Sequence, residues 1–233
     1  MSKILLTIKN LKKSYSHIDG SITLFDNFNF QIKEGDLVAL VGPSGSGKSS
    51  LLHIMALLDD PSKGEIKIDK IETKNLSDVQ KDKLRRDFIS IIFQDNNLLT
   101  DFTAIENIMM PLIIRNEEKK TVFKKAEKIL KSLKIHNRTN HFPKELSGGE
   151  QQRVAIARAL IAETKLILAD EPTGNLDPEL SKDIMSLFAA FNAIGVTVLI
   201  ATHDLSLIAT MNQRIIQLQQ GQLITKEHRH EIY

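Results

Sequence analysis

The chain has 233 residues, 42% hydrophobic and 26% charged, which suits one large globular domain or a domain with a sub-domain. Its 31 basic and 29 acidic residues leave a net charge of +2, so no strong field points to nucleic acid. The absence of cysteine excludes disulfides and zinc–thiolate sites and is compatible with the cytosol.

Residues 1–10 read as a strand and show no signal-peptide layout. No apolar run approaches the roughly 18 residues a membrane-crossing helix needs, so work on a membrane is expected to go through a partner. Short strands follow at 4–8, 22–25 and 28–32, broken by Asp19-Gly20 and Glu34-Gly35, which predicts an opening antiparallel sheet. Tyr15 falls in a polar turn of this region. Such a ring is commonly surface filler, though it can also stack on a base.

The apolar run 37–41 leads into Gly42-Pro43-Ser44-Gly45-Ser46-Gly47-Lys48-Ser49-Ser50, and residues 50–58 have helical character. Strand, glycine-rich turn and helix in that order converge backbone N–H groups at the positive end of a helix dipole. Phosphate oxygens satisfy those donors. Lys48 then adds a point charge on the β- and γ-phosphates, and the Ser49 hydroxyl is one ligand for Mg²⁺.

Pro61-Ser62-Lys63-Gly64 is a turn, 65–69 a strand and 77–86 a charged helix. The run 88–93 reads as a buried strand ending in Gln94, at the carboxyl end where open α/β sheets place ligands. Residues 103–114 are apolar and interrupted by Pro111; residues 117–134 are amphipathic, with a lysine run read as a solvated face. Leu146-Ser147-Gly148-Gly149-Glu150-Gln151 then opens a helix. Ser147, Gly148 and Gly149 are either a second anion site or a plain N-cap followed by glycines.

Residues 165–171 form an apolar strand ending in Asp170 and Glu171. Beside a phosphate loop, Asp170 is placed to hold Mg²⁺, and Glu171 to orient or deprotonate a water. Asn175-Leu176-Asp177-Pro178 turns into a helix at 179–192. The strand 196–202 ends in His203, which can hydrogen-bond a γ-phosphate. Residues 214–219 and 222–226 make a closing hairpin.

In this order, the series resembles the nucleotide-binding subunit of ATP-binding cassette (ABC) transporters over nearly the whole chain. Gly42 to Ser49 match Walker A, Leu166 to Asp170 Walker B, and Gln94 the Q-loop. Leu146 to Gln151 match the signature, residues 175–177 the D-loop, and His203 the switch histidine. The resemblance implies an α/β fold: a P-loop core with parallel sheet, an N-terminal antiparallel β-subdomain and an inserted α-helical subdomain. Residues 1–94 and 164–233 would be core, and 95–163 the helical part carrying the signature. It also implies ATP and Mg²⁺, the latter held by Ser49, Gln94 and Asp170, with Glu171 as general base, His203 as γ-phosphate sensor and Tyr15 stacked on adenine. A head-to-tail homodimer follows, in which Ser147, Gly148 and Gly149 of one copy close over ATP bound by the other. Ser50 stands where threonine is common, and keeps the hydroxyl.

Within the family, residues 98–107 and Met110-Pro111-Leu112 resemble the subgroup serving lipoprotein release and macrolide export, and residues 3–6 and 140–147 look most like its lipoprotein-releasing ATPases. That implies integral membrane permease subunits (LolC/LolE-like), a peripheral place on the cytoplasmic face of the bacterial inner membrane, and no nucleic acid. Gln94-Asp95-Asn96-Asn97 and residues 191–197 look instead like the cell-division ATPases; the usual aromatic and histidine after the glutamine are missing. Leu98, Leu99 and Phe102 are expected to form a groove for a partner helix, while Ile105, Ile108 and Leu112 fit either that groove or the core.

Overall fold

A computed structural model describes residues 3–17, 20–174, 176–204, 208 and 213–224. Two sheets organise the chain. The first is antiparallel: β1 (Ile4–His17), β2 (Gly20–Lys33), β4 (Lys63–Ile68) and β5 (Ile71–Glu72) in the order β2-β1-β4-β5. The second has six strands: β3 (Leu37–Val41), β6 (Ile89–Ile92), β7 (Leu166–Asp170), β8 (Thr197–Thr202), β9 (Arg214–Gln219) and β10 (Gln222–Ile224). Their order is β10-β9-β3-β8-β7-β6, parallel except at the β9–β10 hairpin. The α/β architecture expected from the sequence is the one observed.

β3, β7 and β8 are buried along their whole length, as parallel strands covered on both faces must be. One face meets α1 (Lys48–Met55) and the antiparallel sheet; the other meets a helical layer of α3 (Ala104–Ile114), α4 (Lys119–Ser132), α5 (Gly148–Ile161) and α6 (Pro178–Ala193). α2 (Asp78–Phe88) precedes β6. Helix starts follow their capping residues. Ser77 accepts from Gln80 N–H before α2, Ser147 accepts from Glu150 N–H before α5, and Asp177 accepts from Glu179 and Leu180 before α6.

Three expectations need correction. The separate strands at 4–8, 22–25 and 28–32 are parts of two continuous 14-residue strands. Bulges break their alternation, one at Asn10, whose φ of 48° is left-handed. Tyr15 therefore lies in β1, opposite Ile22, and not in a turn. Finally, α3 runs through Pro111. Its buried side chains Ile105, Ile108, Met109 and Leu112 each gain about 1.5–3 kcal/mol on burial. Together they outweigh the roughly 3 kcal/mol that an internal proline costs. The choice left open for Ile105, Ile108 and Leu112 thus falls to the core, and Leu98 packs partly against it.

Leu99 and Phe102 stay exposed, on a loop held by a fully buried asparagine. Asn107 Oδ1 accepts from Leu99 N–H at 2.8 Å, and its Nδ2 donates to the carbonyls of Leu99, Phe102 and Thr103 at 3.0, 2.9 and 3.1 Å. Asn107→Ala should cost about 2 kcal/mol by orphaning these groups, and should speed amide exchange at Leu99. Denaturant unfolding with hydrogen exchange checks both; unchanged exchange at Leu99 would mean the loop is held otherwise.

Candidate active site

The carboxyl ends of β3, β8 and β7, adjacent in the sheet, deliver Gly42, His203 and the pair Asp170-Glu171 to one edge. The turn at 42–47 depends on its glycines. Gly45 and Gly47 have φ of 77° and 98°, and a Cβ on Gly42 would collide with the Leu218 carbonyl. α1 begins at Gly47 with no side chain capping it and no acid in its first turn. Its free N–H groups and dipole are thus open to an anion. Ser44 lies in the turn, and Ser46 Oγ is buried without a partner.

Lys48, 6% exposed, donates to the carbonyls of Gly42 at 2.9 Å and Pro43 at 3.3 Å. Its Nζ stands 3.3 Å from Glu171 Oε1. Glu171, 9% exposed, turns out of β7 through a left-handed φ of 44°, and its N–H donates to Ala201 O at 2.9 Å. The other carboxylate oxygen accepts from His203 N–H at 3.3 Å and lies 3.0 Å from His203 Nδ1. His203 itself is exposed. Burial lifts Asp170 above the usual carboxylate range; a hydrogen bond from Ser49 works against that, and the Glu171 charge adds to it. Asp170 Oδ1 is buried with no partner. Ser50 follows on α1, partly buried.

Gln94 is exposed two residues beyond β6, beside the turn after Glu171: a Cβ on Gly174 would stand 3.7 Å from its Nε2. A 560 Å³ cleft opens there, lined by Glu171, Thr173, Gly174, Leu176 and His203. Tyr15 pairs with Ile22 of β2, and Leu24 and Phe25, at a bulge farther along that strand, abut Gly47. Ser147, Gly148 and Gly149 are apart from this group. Ser147 and Gly148 are exposed, Gly149 is packed on Leu180 of α6, and no hydrogen bond among the described residues joins them to 42–50. Asn175 lies outside the described residues.

The sequence reading missed the residues that hold Tyr15. Its hydroxyl donates to Asp59 Oδ2 at 3.0 Å, and the buried Lys13 lies 4.7 Å from the ring centroid while donating to Asp59 Oδ1 at 2.5 Å. Burial works to raise Asp59, but these two donors carry its pKa below the usual carboxylate value. One signal was available. Acids just past a helix's carboxyl end oppose the dipole and call for a cationic partner.

Fold and site together define a nucleoside triphosphatase of the phosphate-loop kind. The ABC transporter pattern matches residues 25–174, and the chain belongs to that family of ATP-binding subunits, which hydrolyse ATP to power transport. It is 43% identical over 218 residues to the lipoprotein-releasing system ATP-binding protein LolD of Nitrobacter winogradskyi, covering 93% of this chain and 94% of that one. It is equally 43% identical, over 231 residues, to the uncharacterized ABC transporter ATP-binding protein MJ0796 of Methanocaldococcus jannaschii, covering 96% and 97%. A solved dimeric, post-hydrolysis structure of MJ0796 bound to ADP and Pi superposes with a TM-score of 0.90 at 40% identity, over 98% of this chain and all of that one.

Tyr15→Ala should lower ATP affinity about tenfold and leave affinity for inorganic tripolyphosphate unchanged, because a base–aromatic stack is worth roughly 1–3 kcal/mol. Lys48→Ala should weaken both ligands. Calorimetric titration separates the two; equal loss of both ligands in Tyr15→Ala would make the ring part of the fold and not of the base site.

Proposed function

We propose that the chain is the motor subunit of an inner-membrane transporter that releases lipoproteins, hydrolysing Mg²⁺-bound ATP between two copies of itself. The observation that carries the catalytic part is the contact chain Lys48–Glu171–His203 beside the unpartnered Asp170 oxygen. The backbone of residues 42–47, Lys48 and the hydroxyls of Ser49 and Ser50 would cradle the phosphates, with adenine on Tyr15. A buried carboxylate oxygen lacking a donor fits a hard cation, and magnesium sites commonly use one or two carboxylates with phosphates and waters. Asp170, Ser49 and Gln94 would hold Mg²⁺, which offsets charge on the β- and γ-phosphates.

Lys48 is answered here by Glu171 and two carbonyls. A triphosphate offers a stronger counter-charge, and taking it up frees Glu171 to face a water beside the γ-phosphate. Glu171 accepts the proton as the water oxygen bonds to phosphorus and the bond to the β–γ bridging oxygen breaks. His203 holds Glu171 through Nδ1 and has its exposed edge available to the γ-phosphate. Glu171→Gln should keep ATP binding, lower turnover about 10²–10⁴-fold and accumulate an ATP-bound dimer. Turnover within about threefold of the parent would remove Glu171 from this role.

The exposed, capped start of α5 supports a second copy as the other half of the site, as does the dimeric ADP-bound MJ0796 structure. We divide the chain as 1–94 and 164–233 for the core and 95–163 for the helical part. Exposed Leu99 and Phe102 would receive a short helix of permease subunits of the LolC/LolE kind at the cytoplasmic face. No helix among the described residues is long and apolar enough to cross a membrane itself.

The lipoprotein-release reading draws on the LolD relative. The Asp95-Asn96-Asn97 run favours a division ATPase instead, with ATP driving signalling across the membrane. Leu99→Ser with Phe102→Ser should leave basal turnover and folding intact and abolish stimulation by the membrane subunits. ATP-dependent release of a lipoprotein from proteoliposomes holding the whole complex decides between the readings; stimulated turnover without release favours division.

A further inference from the structure

Gln94 stands in a loop tied on both sides to consecutive residues of α5. On the strand side, Ser90 of β6 donates through Oγ to Ala159 O at 3.0 Å. Beyond the glutamine, Arg158 donates from its two terminal nitrogens to Asn97 O and Asn96 O, both at 2.8 Å. Asn96 and Asn97 are successive left-handed residues, with φ of 59° and 44°. Asparagine tolerates that conformation, and two in a row make a tight turn whose carbonyls face the arginine.

Burial alone pulls the Arg158 pKa down, and no carboxylate acts on it among the described residues. A half-buried cation answered by two carbonyls is a costly way to fill space, because an apolar side chain would fill it without partly desolvating a charge. What the guanidinium provides is a planar fork that fixes two acceptors at once. The Asp95-Asn96-Asn97 run, where this chain departs from the usual lipoprotein-release pattern, is the segment the fork grips.

We infer that Arg158 is a positioning residue for Gln94, making the 96–97 turn a rigid part of α5. A shift of Gln94 then moves α5, including residues 147–149 at its other end, about 15 Å away at 1.5 Å per residue. Engagement of one nucleotide by Gln94 is thereby linked to the surface that meets the second copy. This rests on the proposed role of Gln94 at the metal and γ-phosphate.

The test is a double-mutant cycle. Arg158→Lys, which keeps the cation without the fork, and Arg158→Met, which keeps the stem, are each placed in the parent and in Gln94→Ala. ATP affinity of the monomer should stay within about twofold and turnover of the parent should fall about tenfold or more, with no further fall in Gln94→Ala. Amide exchange at residues 94–98 should quicken while the remaining fold keeps its protection. Equal fractional falls in both backgrounds, or unchanged turnover despite quickened exchange, would overturn the inference and leave the Gln94 reading standing. Full turnover in Gln94→Ala alone would overturn that reading and the inference with it. Unfolding of both Arg158 variants, with protection lost everywhere, would make the arginine a core anchor and likewise overturn it.

Discussion

The contact on which the site depends is the ion pair between Lys48 and Glu171. Lys48 is buried at the start of an uncapped helix, so its charge adds to the positive end of a dipole in a place with little water. Such a charge must be answered, and removing one member of a buried pair typically costs about 3–5 kcal/mol. Glu171 can answer it because its left-handed φ turns the chain at the end of β7, while β7–β8 pairing opposes Asp170 to Ala201. Strand order, register and one strained residue therefore converge on a single 3.3 Å contact.

Around that contact, polar burial is uneven in an informative way. The starts of α2, α5 and α6 are satisfied by their own side chains, whereas α1 and α4 have no side-chain cap, and the start of α1 holds the buried Lys48. Ser46 Oγ and Asp170 Oδ1 are buried without partners near the same loop. Buried orphan atoms are costly and few in native proteins. Two of them beside an uncapped helix and a buried lysine support the proposal that phosphate and a cation sit there.

The sheet core was legible because fully buried parallel strands are continuous apolar runs, and 37–41, 166–170 and 197–202 are such runs in the sequence. Caps were legible because they are local: Ser147 reads three residues ahead to Glu150. The long strands β1 and β2 were not, because bulges shift the inward face and erase the period of two. Pro111 misled for a different reason, since tertiary burial of α3 overrides a local propensity. The Lys13–Asp59–Tyr15 cluster joins Asp59 to residues more than forty positions away, and the local signal of an acid past a helix end does not say which cation answers it.

The two phosphate-type elements, far apart in sequence, are joined by a short mechanical path. From Glu171 the chain turns through Thr173 and Gly174 to Asp177, which caps α6. One turn into α6, Leu180 packs on Gly149, where a Cβ would stand 2.9 Å from its methyl carbon. Glycine there lets α6 reach the start of α5, and Arg158 holds the far part of α5 to the turn after Gln94. The start of α5 is thus coupled to Glu171 through packing and to the Gln94 loop through hydrogen bonds. Packed elements of this kind shift as units instead of deforming smoothly. If Gln94 acts as proposed, a change of charge at the Lys48–Glu171 contact would reach the exposed Ser147 surface by two routes that part at the 171–174 turn, one apolar and one polar.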